Sequence, residues 1–318
     1  MAIIGHDIDI AKEFLLKGEL VAIPTETVYG LAGNALNDSA VISIFEVKNR
    51  PSFDPLIIHT DSLEKVENYV SEFPEKAKLL ANKFWPGPLT LLLPKKQIIP
   101  DLVTSGLNNV AVRVPNHPLL LALLRSLPFP IAAPSANPFG YISPTNAQHV
   151  NAQLGDKIPY ILDGGESDVG IESTILGFEN GEAIVYRLGG LAIEDIENVI
   201  GKVQLMPHSS SNPKAPGMLK SHYAPRKPLY LEKRETFSVN EDKLTGYLVF
   251  DQYIEGIDLK YQRILSKSGD TKEAAHNLFA YLRELDASPV EQIRAEHVPM
   301  HGLGPAINDR LQRAAAKE

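Results

Sequence analysis

Short apolar runs alternate with longer segments of mixed polarity along this chain. Such runs, bounded by Pro, Gly and polar residues, are typical of buried strands. The pattern predicts strands at 20–23, 56–58, 90–93, 110–115, 131–133, 160–163, 183–187 and 246–250, and another that begins near Glu172. Pro24 ends the first of these strands, because proline cannot donate a hydrogen bond to a sheet.

Apolar residues at helical spacing predict the intervening helices. The helices are expected at 9–16, 37–48, 61–70, 74–84, 117–127, 270–285 and 304–315, and one more is expected to open at Ser143-Pro144-Thr145. Asn37 is a capping residue for the second helix, and Gly18 closes the first. Because strands and helices alternate throughout, the sequence predicts an α/β fold.

A change in composition divides the chain into domains. Residues 1–205 carry the alternating pattern, whereas 206–226 are rich in Ser, Pro and Gly, as is typical of a linker. The linker ends in His222 and Tyr223, side chains that a passive spacer does not require. Residues 227–318 are then expected to form a smaller α/β domain.

Composition limits the classes of protein to which the chain can belong. Apolar residues make up 44% and charged residues 22%, as in an ordinary globular protein, and no apolar run reaches the length of a membrane span. The N-terminus lacks the basic and apolar regions of a signal peptide. The absence of cysteine excludes disulfides and thiolate chemistry and fits a reducing cytoplasm. The formal charge of −8 argues against a broad nucleic-acid surface.

One stretch, 20–51, combines the residue types of a binding site. The polar residues in the loop after its strand are Thr25, Glu26, Thr27 and Tyr29. Open α/β sheets place their sites at the ends of buried strands. Lys48 and Arg50 follow at the end of the next predicted helix, where two cations suit an anion. The stretch therefore predicts one pocket with hydroxyl groups and a carboxylate on one wall and cations on another.

Four cations, Lys48, Arg50, Arg113 and Arg187, lie at or near the ends of apolar elements. Any one of them alone is more often a solvated end, but four such placements favour an anion pocket. The hydroxyl and amide candidates are Thr25, Thr27, Ser135, Asn137, Ser143 and Ser173, whose alternative roles are helix caps and turns. The residues alone predict a cleft for a phosphorylated ligand and a small polar one, without defining the reaction.

Several familiar chemistries are disfavoured by the motifs that are missing. The chain has no Walker A sequence, and Ser135 does not lie in a nucleophile elbow. His59, His117 and His222 lack the spacing of a metal site. Magnesium carried by nucleotide phosphates stays open, because it needs only one or two carboxylates from the protein.

A series of short motifs runs along the chain. The motifs are Pro24-Thr-Glu-Thr-Val-Tyr-Gly-Leu31, Lys48-x-Arg50-Pro51, Pro55-Leu-Ile-Ile-His59, Trp85-Pro-Gly-Pro88, Val110-Ala-Val-Arg113, Pro134-Ser-Ala-Asn137, Ser143-Pro-Thr145 and Glu172-Ser-Thr-Ile175. Together they resemble the motifs of the threonylcarbamoyl-AMP synthase family. The linker segment Ala215-Pro-Gly-Met-x-x-x-His222-Tyr-Ala-Pro225 and the C-terminal Gly302-Leu-Gly-x-Ala-Ile-x-Asp-Arg310-Leu match the longer, two-domain form. The resemblance spans nearly the whole chain.

The resemblance implies a reaction and an architecture. The family condenses L-threonine, bicarbonate and ATP into L-threonylcarbamoyl-adenylate and releases pyrophosphate; a downstream complex transfers the threonylcarbamoyl group to tRNA. The implied N-terminal domain is YrdC-like, an open, twisted, mixed sheet with helices around a positively lined cavity. The implied C-terminal domain is Rossmann-like, and the linker crosses the cavity mouth as a lid. Magnesium is expected with ATP, a weak contact with tRNA is conceivable, and no membrane is involved.

Site residues follow from the same resemblance. The positions that match the family's threonine site are Thr27, His59, Arg113 and Ser173. The positions that match its ATP site are Lys48, Arg50, Asp54, Asn109, Ser135, Asn137, Ser143, Arg187, His222 and Tyr223, with Lys48 and Arg50 expected to act in catalysis. No metal is expected to be held by the protein alone.

Two positions depart from the family pattern. Asp54 stands where the family commonly has Asn, and Asn108 and Asn109 stand where it commonly has Thr. A carboxylate at position 54 can accept a hydrogen bond from a ribose hydroxyl or help to hold magnesium, but it repels a phosphate.

Two other functions are compatible with the resemblance. One is carbamoyl transfer in hydrogenase maturation, which the absence of zinc-binding cysteines disfavours. The other is a non-catalytic RNA-binding module, which the charge of −8 disfavours.

Overall fold

The computed structural model describes residues 1–206, 215, 218, 222–237 and 244–316. Within this part of the chain, two β-sheets with their helices form an α/β architecture, as the alternating pattern predicts. None of the described helices is both long and apolar enough to cross a membrane.

The larger sheet contains eleven described strands. They are β1 (Ile3–Gly5), β2 (Val21–Ile23), β3 (Gly30–Asn34), β4 (Ile57–His59), β5 (Leu89–Pro94), β6 (Asn109–Arg113), β7 (Ile131–Ala132), β8 (Tyr160–Leu162), β9 (Thr174–Glu179), β10 (Glu182–Arg187) and β11 (Gln204–Leu205). Their order is β1-β8-β2-β3-β7-β4-β6-β5-β9-β10-β11, with parallel and antiparallel pairs mixed. The expected mixed sheet is thereby confirmed.

The helices of this domain pack against the larger sheet. They are α1 (Ile8–Leu16), α2 (Asp38–Lys48), α3 (Leu63–Val66), α4 (Glu75–Phe84), α5 (Asp101–Thr104), α6 (Pro118–Ser126), α7 (Ala147–Leu154) and α8 (Ile193–Ile200). Asn37 caps α2 as predicted, since its side chain accepts from the amides of Ser39 and Ala40. Asn49 ends α2 in the left-handed region with φ of 52°.

The smaller sheet lies in the C-terminal part of the chain. Its strands are β12 (Leu229–Glu232), β13 (Thr245–Val249), β14 (Gln262–Ile264) and β15 (Gln292–Glu296), in the order β12-β15-β13-β14. All the pairs are parallel, as in the expected Rossmann-like domain. The helices α9 (Thr271–Ala287) and α10 (Gly304–Ala315) pack on it, with short 3-10 helices at Arg234–Thr236 and Leu259–Tyr261.

The two domains share one hydrophobic cluster. It is built mainly from the smaller sheet, α9 and α10, but it also buries Val28, Ile142 and Ile171 of the larger domain and Tyr223 of the linker. Because these residues come from loops around the predicted pocket, the second domain packs directly behind that pocket. The exact domain boundaries at 205 and 227 stay a prediction.

Several local expectations differ from the structure. The helix expected at Ser143 begins instead at Ala147, because Asn146 is the N-cap and its side chain accepts from the amide of His149. The helix expected over 61–70 is only Leu63–Val66. The strand β3 was not predicted, because Gly30 and Gly33 interrupt its apolar run. The sequence patterns also did not predict β1, α5, α8, β11, β12, β14 and β15.

Close packing of α2 on the sheet sets the position of its C-terminal residues. At Gly33 an added Cβ would lie 2.9 Å from Leu20 Cδ2 and 3.2 Å from Ile44 Cδ1, so the helix approaches the strand closely. Ile44 is fully buried in this contact, whereas Ile42 on the same helix is 45% exposed.

We expect Ile44→Ala to destabilise the protein by about 2–5 kcal/mol, because it leaves a cavity under α2. The matched substitution Ile42→Ala should cost less than about 1 kcal/mol, since that side chain is largely in solvent. Unfolding in urea, followed by circular dichroism, measures both changes. Equal losses from the two variants would contradict the packing described here.

Candidate active site

A cleft opens where β4 and β6 end. These neighbouring strands are parallel and place His59 directly beside Arg113. The loop between β2 and β3 forms the adjoining wall, and the linker reaches the cleft at its last residues. The predicted site residues that line the cleft are Thr27, Arg50, His59, Arg113, Ser135, Ser173, Arg187, His222 and Tyr223.

The loop after β2 is held by its own threonine. The hydroxyl oxygen of Thr25 accepts from the amides of Thr27 and Val28, both at 3.1 Å, and its hydroxyl donates to the Val28 carbonyl at 2.7 Å. This turn fixes Thr27, whose Oγ1 accepts from Arg113 Nη1 at 2.9 Å. Thr25 therefore shapes the wall that presents Thr27.

Arg113 is held on three sides. Besides Thr27, its Nε donates to the Gly87 carbonyl at 3.2 Å, and its Nη2 lies 2.7 Å from Glu26 Oε1. A guanidinium has five N–H donors in a fixed plane, so Arg113 can keep these contacts and still offer donors to a ligand. The sequence reasoning placed a carboxylate on this wall but gave Glu26 no role, and the structure assigns it that of counter-ion to Arg113.

His59 is neutral in this environment. It is 3% exposed, and burial, followed by the charge of Arg113, lowers the pKa of its imidazole to about 3. Its Nδ1 has no hydrogen-bond partner in the described part of the chain. His59 can therefore exchange a hydrogen bond with a bound ligand without carrying charge.

Lys48 connects α2 to the turn after β7. Its Nζ donates to the carbonyl of Ser135 at 2.6 Å and to the carbonyl of Asn137. Burial, followed by the neighbouring charge of Arg50, holds the pKa of Lys48 well below its ordinary value. Asn137 in turn donates through Nδ2 to the carbonyls of Pro138 and Tyr141. Lys48 thus fixes the turn predicted to bind ATP.

Arg50 has a carboxylate partner inside the protein. Its Nη2 lies 2.9 Å from Asp54 Oδ2, its Nε donates to the Asp54 carbonyl, and Nη2 also donates to the Pro55 carbonyl at 2.8 Å. Asp54 is completely buried. The departure from the family pattern at this position therefore supplies a counter-ion for Arg50. The contact of Asp54 with ATP that the resemblance implies stays a prediction.

Asn109 does not reach the cleft. It begins β6, whereas Arg113 ends it, and a strand rises about 3.3 Å per residue. Asn109 instead lines a separate groove with Leu92, Pro94 and Phe178. Its expected role at the ATP site stays a prediction, which the position of Asn109 at the opposite end of β6 from Arg113 does not favour.

Arg187 and Ser173 meet on a third wall. Arg187 Nε and Nη2 donate to the Ser173 carbonyl at 3.1 and 3.0 Å, and Nη2 also donates to Ser173 Oγ. The Ser173 hydroxyl lies 2.7 Å from the Thr90 hydroxyl, which the sequence reasoning missed. This network joins a predicted threonine-site residue to a predicted ATP-site residue.

Glu172 is a second functional residue that sequence reasoning did not single out. Its Oε1 accepts from Ser143 Oγ at 2.5 Å, and its Oε2 accepts from Arg310 Nη2 at 3.1 Å. Burial alone would raise the pKa of this carboxyl, but Arg310 and Arg187 outweigh it and hold the pKa below its ordinary value. Ser143 therefore supports the site through Glu172 rather than by capping a helix.

The last residues of the linker close one end of the cleft. The His222 ring contacts Phe139 edge-on at 5.6 Å and Tyr223 at 4.1 Å between ring centres. The Tyr223 ring stacks on Phe279 of α9 at 5.5 Å, and its backbone lies in the left-handed region with φ of 67°. Burial, followed by the charge of Arg50, holds the pKa of His222 well below its usual value.

Earlier parts of the linker are described at two positions. Ala215 and Met218 are buried in a cluster with Ile57 and Leu92 on the larger sheet. Residues 207–214, 216–217 and 219–221 lie outside the described part of the chain, so the expected lid stays a prediction there.

The acidic groups of the site are occupied by arginines. Glu26, Asp54 and Glu172 each form an ion pair with a guanidinium. Within the described ranges, no group of three or more His, Cys, Asp or Glu side chains is arranged to hold a metal ion. The arrangement suits an anionic ligand, whose charge the arginines and Lys48 can share.

Comparison with known proteins agrees with these features. A family model described as telomere recombination matches residues 13–189, and the model of the threonylcarbamoyl-AMP synthase C-terminal domain matches residues 191–316. The threonylcarbamoyl-AMP synthase of Pyrococcus abyssi is 43% identical over 325 residues, covering 97% of this chain and 94% of that relative. The enzyme of that name from Bacillus subtilis is 40% identical over 317 residues, covering 96% and 92%.

A solved structure extends the similarity to the arrangement of both domains. The crystal structure of P. abyssi Sua5 complexed with L-threonine has a TM-score of 0.90 and 40% identity to this chain, and covers 99% of this chain and 97% of its own. On the strength of both family models and these near full-length relatives, the chain belongs to the threonylcarbamoyl-AMP synthase family.

Proposed function

We propose that this protein condenses L-threonine, bicarbonate and ATP into L-threonylcarbamoyl-adenylate and pyrophosphate. The observation that carries the proposal is the convergence of Arg113 with Thr27 on one wall of a single cleft and of Arg50 with the Lys48-bound turn on another. The P. abyssi structure with L-threonine supports an amino-acid site in this cleft. Relatives with the synthase name span nearly the full chain, which supports this function over RNA binding alone or carbamoyl transfer in maturation.

The threonine side consists of Thr27, His59, Arg113 and Ser173. The remaining N–H donors of Arg113 would bind the substrate carboxylate, for which the planar guanidinium is suited. Neutral His59 and the Ser173 hydroxyl would exchange hydrogen bonds with the polar groups of threonine. The amine of the substrate condenses with bicarbonate and loses water, which gives the carbamate.

The nucleotide side carries the positive charge. Lys48, Arg50 and Arg187 would bind the triphosphate, and Ser135, Asn137, Ser143, His222 and Tyr223 would enclose the nucleotide. A carbamate oxygen then attacks the α-phosphorus and pyrophosphate leaves. Negative charge on the phosphate oxygens is greatest in the transition state, and fixed cations stabilise it.

Magnesium would enter with ATP. Because Asp54 and Glu172 are already paired with arginines, we expect phosphate oxygens and water, rather than these carboxylates, to bind the ion. The ion would neutralise charge on the triphosphate, while the residues of this chain orient the triphosphate.

We further propose a location, domain roles and a partner for the enzyme. It acts in the cytoplasm, and its product feeds a tRNA-modifying complex. Residues 1–205 form the catalytic domain, 206–226 the lid and 227–318 the C-terminal domain.

Lys48→Ala should reduce threonine- and bicarbonate-dependent release of pyrophosphate by at least about 100-fold, because it removes a fixed charge and frees the Ser135 turn. Arg50→Ala should have a similar effect. Lys17→Ala is the control, since Lys17 is 62% exposed and remote from the cleft. Wild-type rates in both cleft variants would refute the assignment of the nucleotide side.

Thr27→Val should raise the KM for L-threonine by about tenfold or more, since Arg113 loses a buried hydrogen-bond acceptor. The KM for ATP should change much less. Thr104→Val is a matched control, because Thr104 is also buried but its hydroxyl donates to the carbonyl of Asp101 within its own helix. Steady-state kinetics with each substrate varied in turn would show the difference, and an unchanged threonine KM would count against this site.

The neutral state of His59 has a consequence for stability. Its folded pKa of about 3 lies below the ordinary value of 6.5, so the unfolded chain binds a proton that the folded chain does not. Stability should therefore fall as the pH drops below about 6.5, by about 2 kcal/mol at pH 5 from this group. His59→Gln should lose less stability between pH 7 and pH 5 than the wild type in urea unfolding. Parallel curves for the two proteins would show that His59 is not held neutral.

A further inference from the structure

A buried arginine connects the second domain to the cleft. Arg310 belongs to α10, and its side chain is completely buried. Its Nε and Nη2 donate to Glu172 Oε2 at 3.2 and 3.1 Å, and its Nη1 donates to the Leu188 carbonyl at 2.5 Å. One guanidinium thus binds two segments of the other domain.

These two segments carry site residues. Glu172 immediately precedes Ser173, and Leu188 immediately follows Arg187. Ser173 and Arg187 both line the cleft and bond to each other. By holding the start of β9 and the end of β10 together, Arg310 fixes the relative position of a threonine-site residue and an ATP-site residue.

Arg310 has a third contact, with the linker. Its guanidinium carbon lies 5.4 Å from the centre of the Tyr223 ring, which also lines the cleft. The second domain supplies a related contact from α9, where Arg283 donates to the carbonyls of Ile142 and Ser143. The Ser143 segment is therefore held from both sides, by Arg283 through its backbone and by Glu172 through its hydroxyl.

The charges around Glu172 depend on Arg310. Besides Arg310 of α10, the groups that face this carboxylate are Arg187 of β10, Lys48 of α2 and the hydroxyls of Ser143 and Tyr223. Burial raises the pKa of the Glu172 carboxyl, and among the charges that lower this pKa the one on Arg310 has the largest effect. Without it, a buried carboxylate loses the guanidinium to which it is directly bonded.

We propose that Arg310 is a positioning residue for the synthase reaction, through which the C-terminal domain holds Glu172, Leu188 and Tyr223 so that Ser173 and Arg187 face the substrates. Arg310 does not line the described cleft, so it acts through these residues rather than on the substrates. The inference rests on the proposed function for its kinetic test. The planar guanidinium explains why residue 310 is an arginine, since lysine cannot bind a carboxylate and a carbonyl in the same geometry.

The test uses Arg310→Met and Arg310→Lys in the full-length protein. Both should lower kcat for pyrophosphate release by about tenfold or more. In Arg310→Met, the acid limb of the plot of kcat against pH should also move to a pH about 1–3 units higher, because Glu172 loses an adjacent opposite charge. Arg310→Lys keeps the charge and should retain an acid limb close to that of the wild type.

Two controls separate positioning from folding. The double variant Glu172→Gln with Arg310→Met has no carboxyl at position 172 but keeps Asp309, which lies 3.4 Å from Arg310 Nη1, so an acid-limb shift caused by Glu172 should be absent. Arg294→Met removes an arginine that pairs with Glu232 inside the smaller sheet at 2.5 Å, away from the cleft. It should leave the pH profile unchanged, whatever it does to Tm.

A second measurement is independent of catalysis. If Arg310→Met raises the folded pKa of Glu172 above its unfolded value, Tm should fall as pH rises through that pKa, relative to the double variant. In the wild type the folded pKa is depressed, so the Glu172 contribution is instead lost as pH falls. A wild type that releases no pyrophosphate would refute the proposed function, whereas this measurement would still test the Arg310–Glu172 contact.

Two results would overturn the proposal. One is an Arg310→Met protein with the acid limb of the wild type and a Tm–pH curve that parallels that of the double variant. The other, decisive if Arg310→Met does not fold, is an Arg310→Lys protein with the kcat of the wild type.

Discussion

Compensation of buried charge is the constraint on which the whole site depends. A charge removed from water is costly unless protein groups replace the water. Here five buried cations at or behind the cleft each have such a group: Glu26 for Arg113, Asp54 for Arg50, Glu172 for Arg310, the Ser173 carbonyl for Arg187, and two turn carbonyls for Lys48. The fold thereby fixes the cations before any substrate is bound, and a site whose charges are already oriented needs little rearrangement when negative charge develops.

The same constraint joins the two domains. The carboxylate that supports Ser143 is compensated by an arginine that lies 138 residues further along the chain. Val28, Ile142 and Ile171, which flank the cleft, are buried in the hydrophobic core of the second domain. The smaller domain therefore forms part of the wall behind the site, although the residues proposed to bind ATP and threonine belong to the larger domain and the linker.

Local patterns in the sequence predicted nine of the fifteen described strands, including β4 and β6 with the side chains at their ends, because periodicity and strand termini are local properties. His59 and Arg113 meet in the structure because parallel strands end at the same edge of the sheet. The pairing of charges was not predictable in this way, since Glu26 and Arg113 are 87 positions apart in the sequence and meet only after folding. Asn109 and Arg113 stand at opposite ends of β6, a separation that motif matching does not take into account.

The backbone of Tyr223 is strained. Its backbone lies at φ of 67°, a conformation that costs a bulky residue about 1–3 kcal/mol. Among the described residues, ring contacts with His222, Phe279 and the Arg310 guanidinium help to offset that cost. The conformation of the linker at the cleft therefore depends on the second domain, because that domain supplies Phe279 and Arg310, the contacts that keep the Tyr223 ring in place.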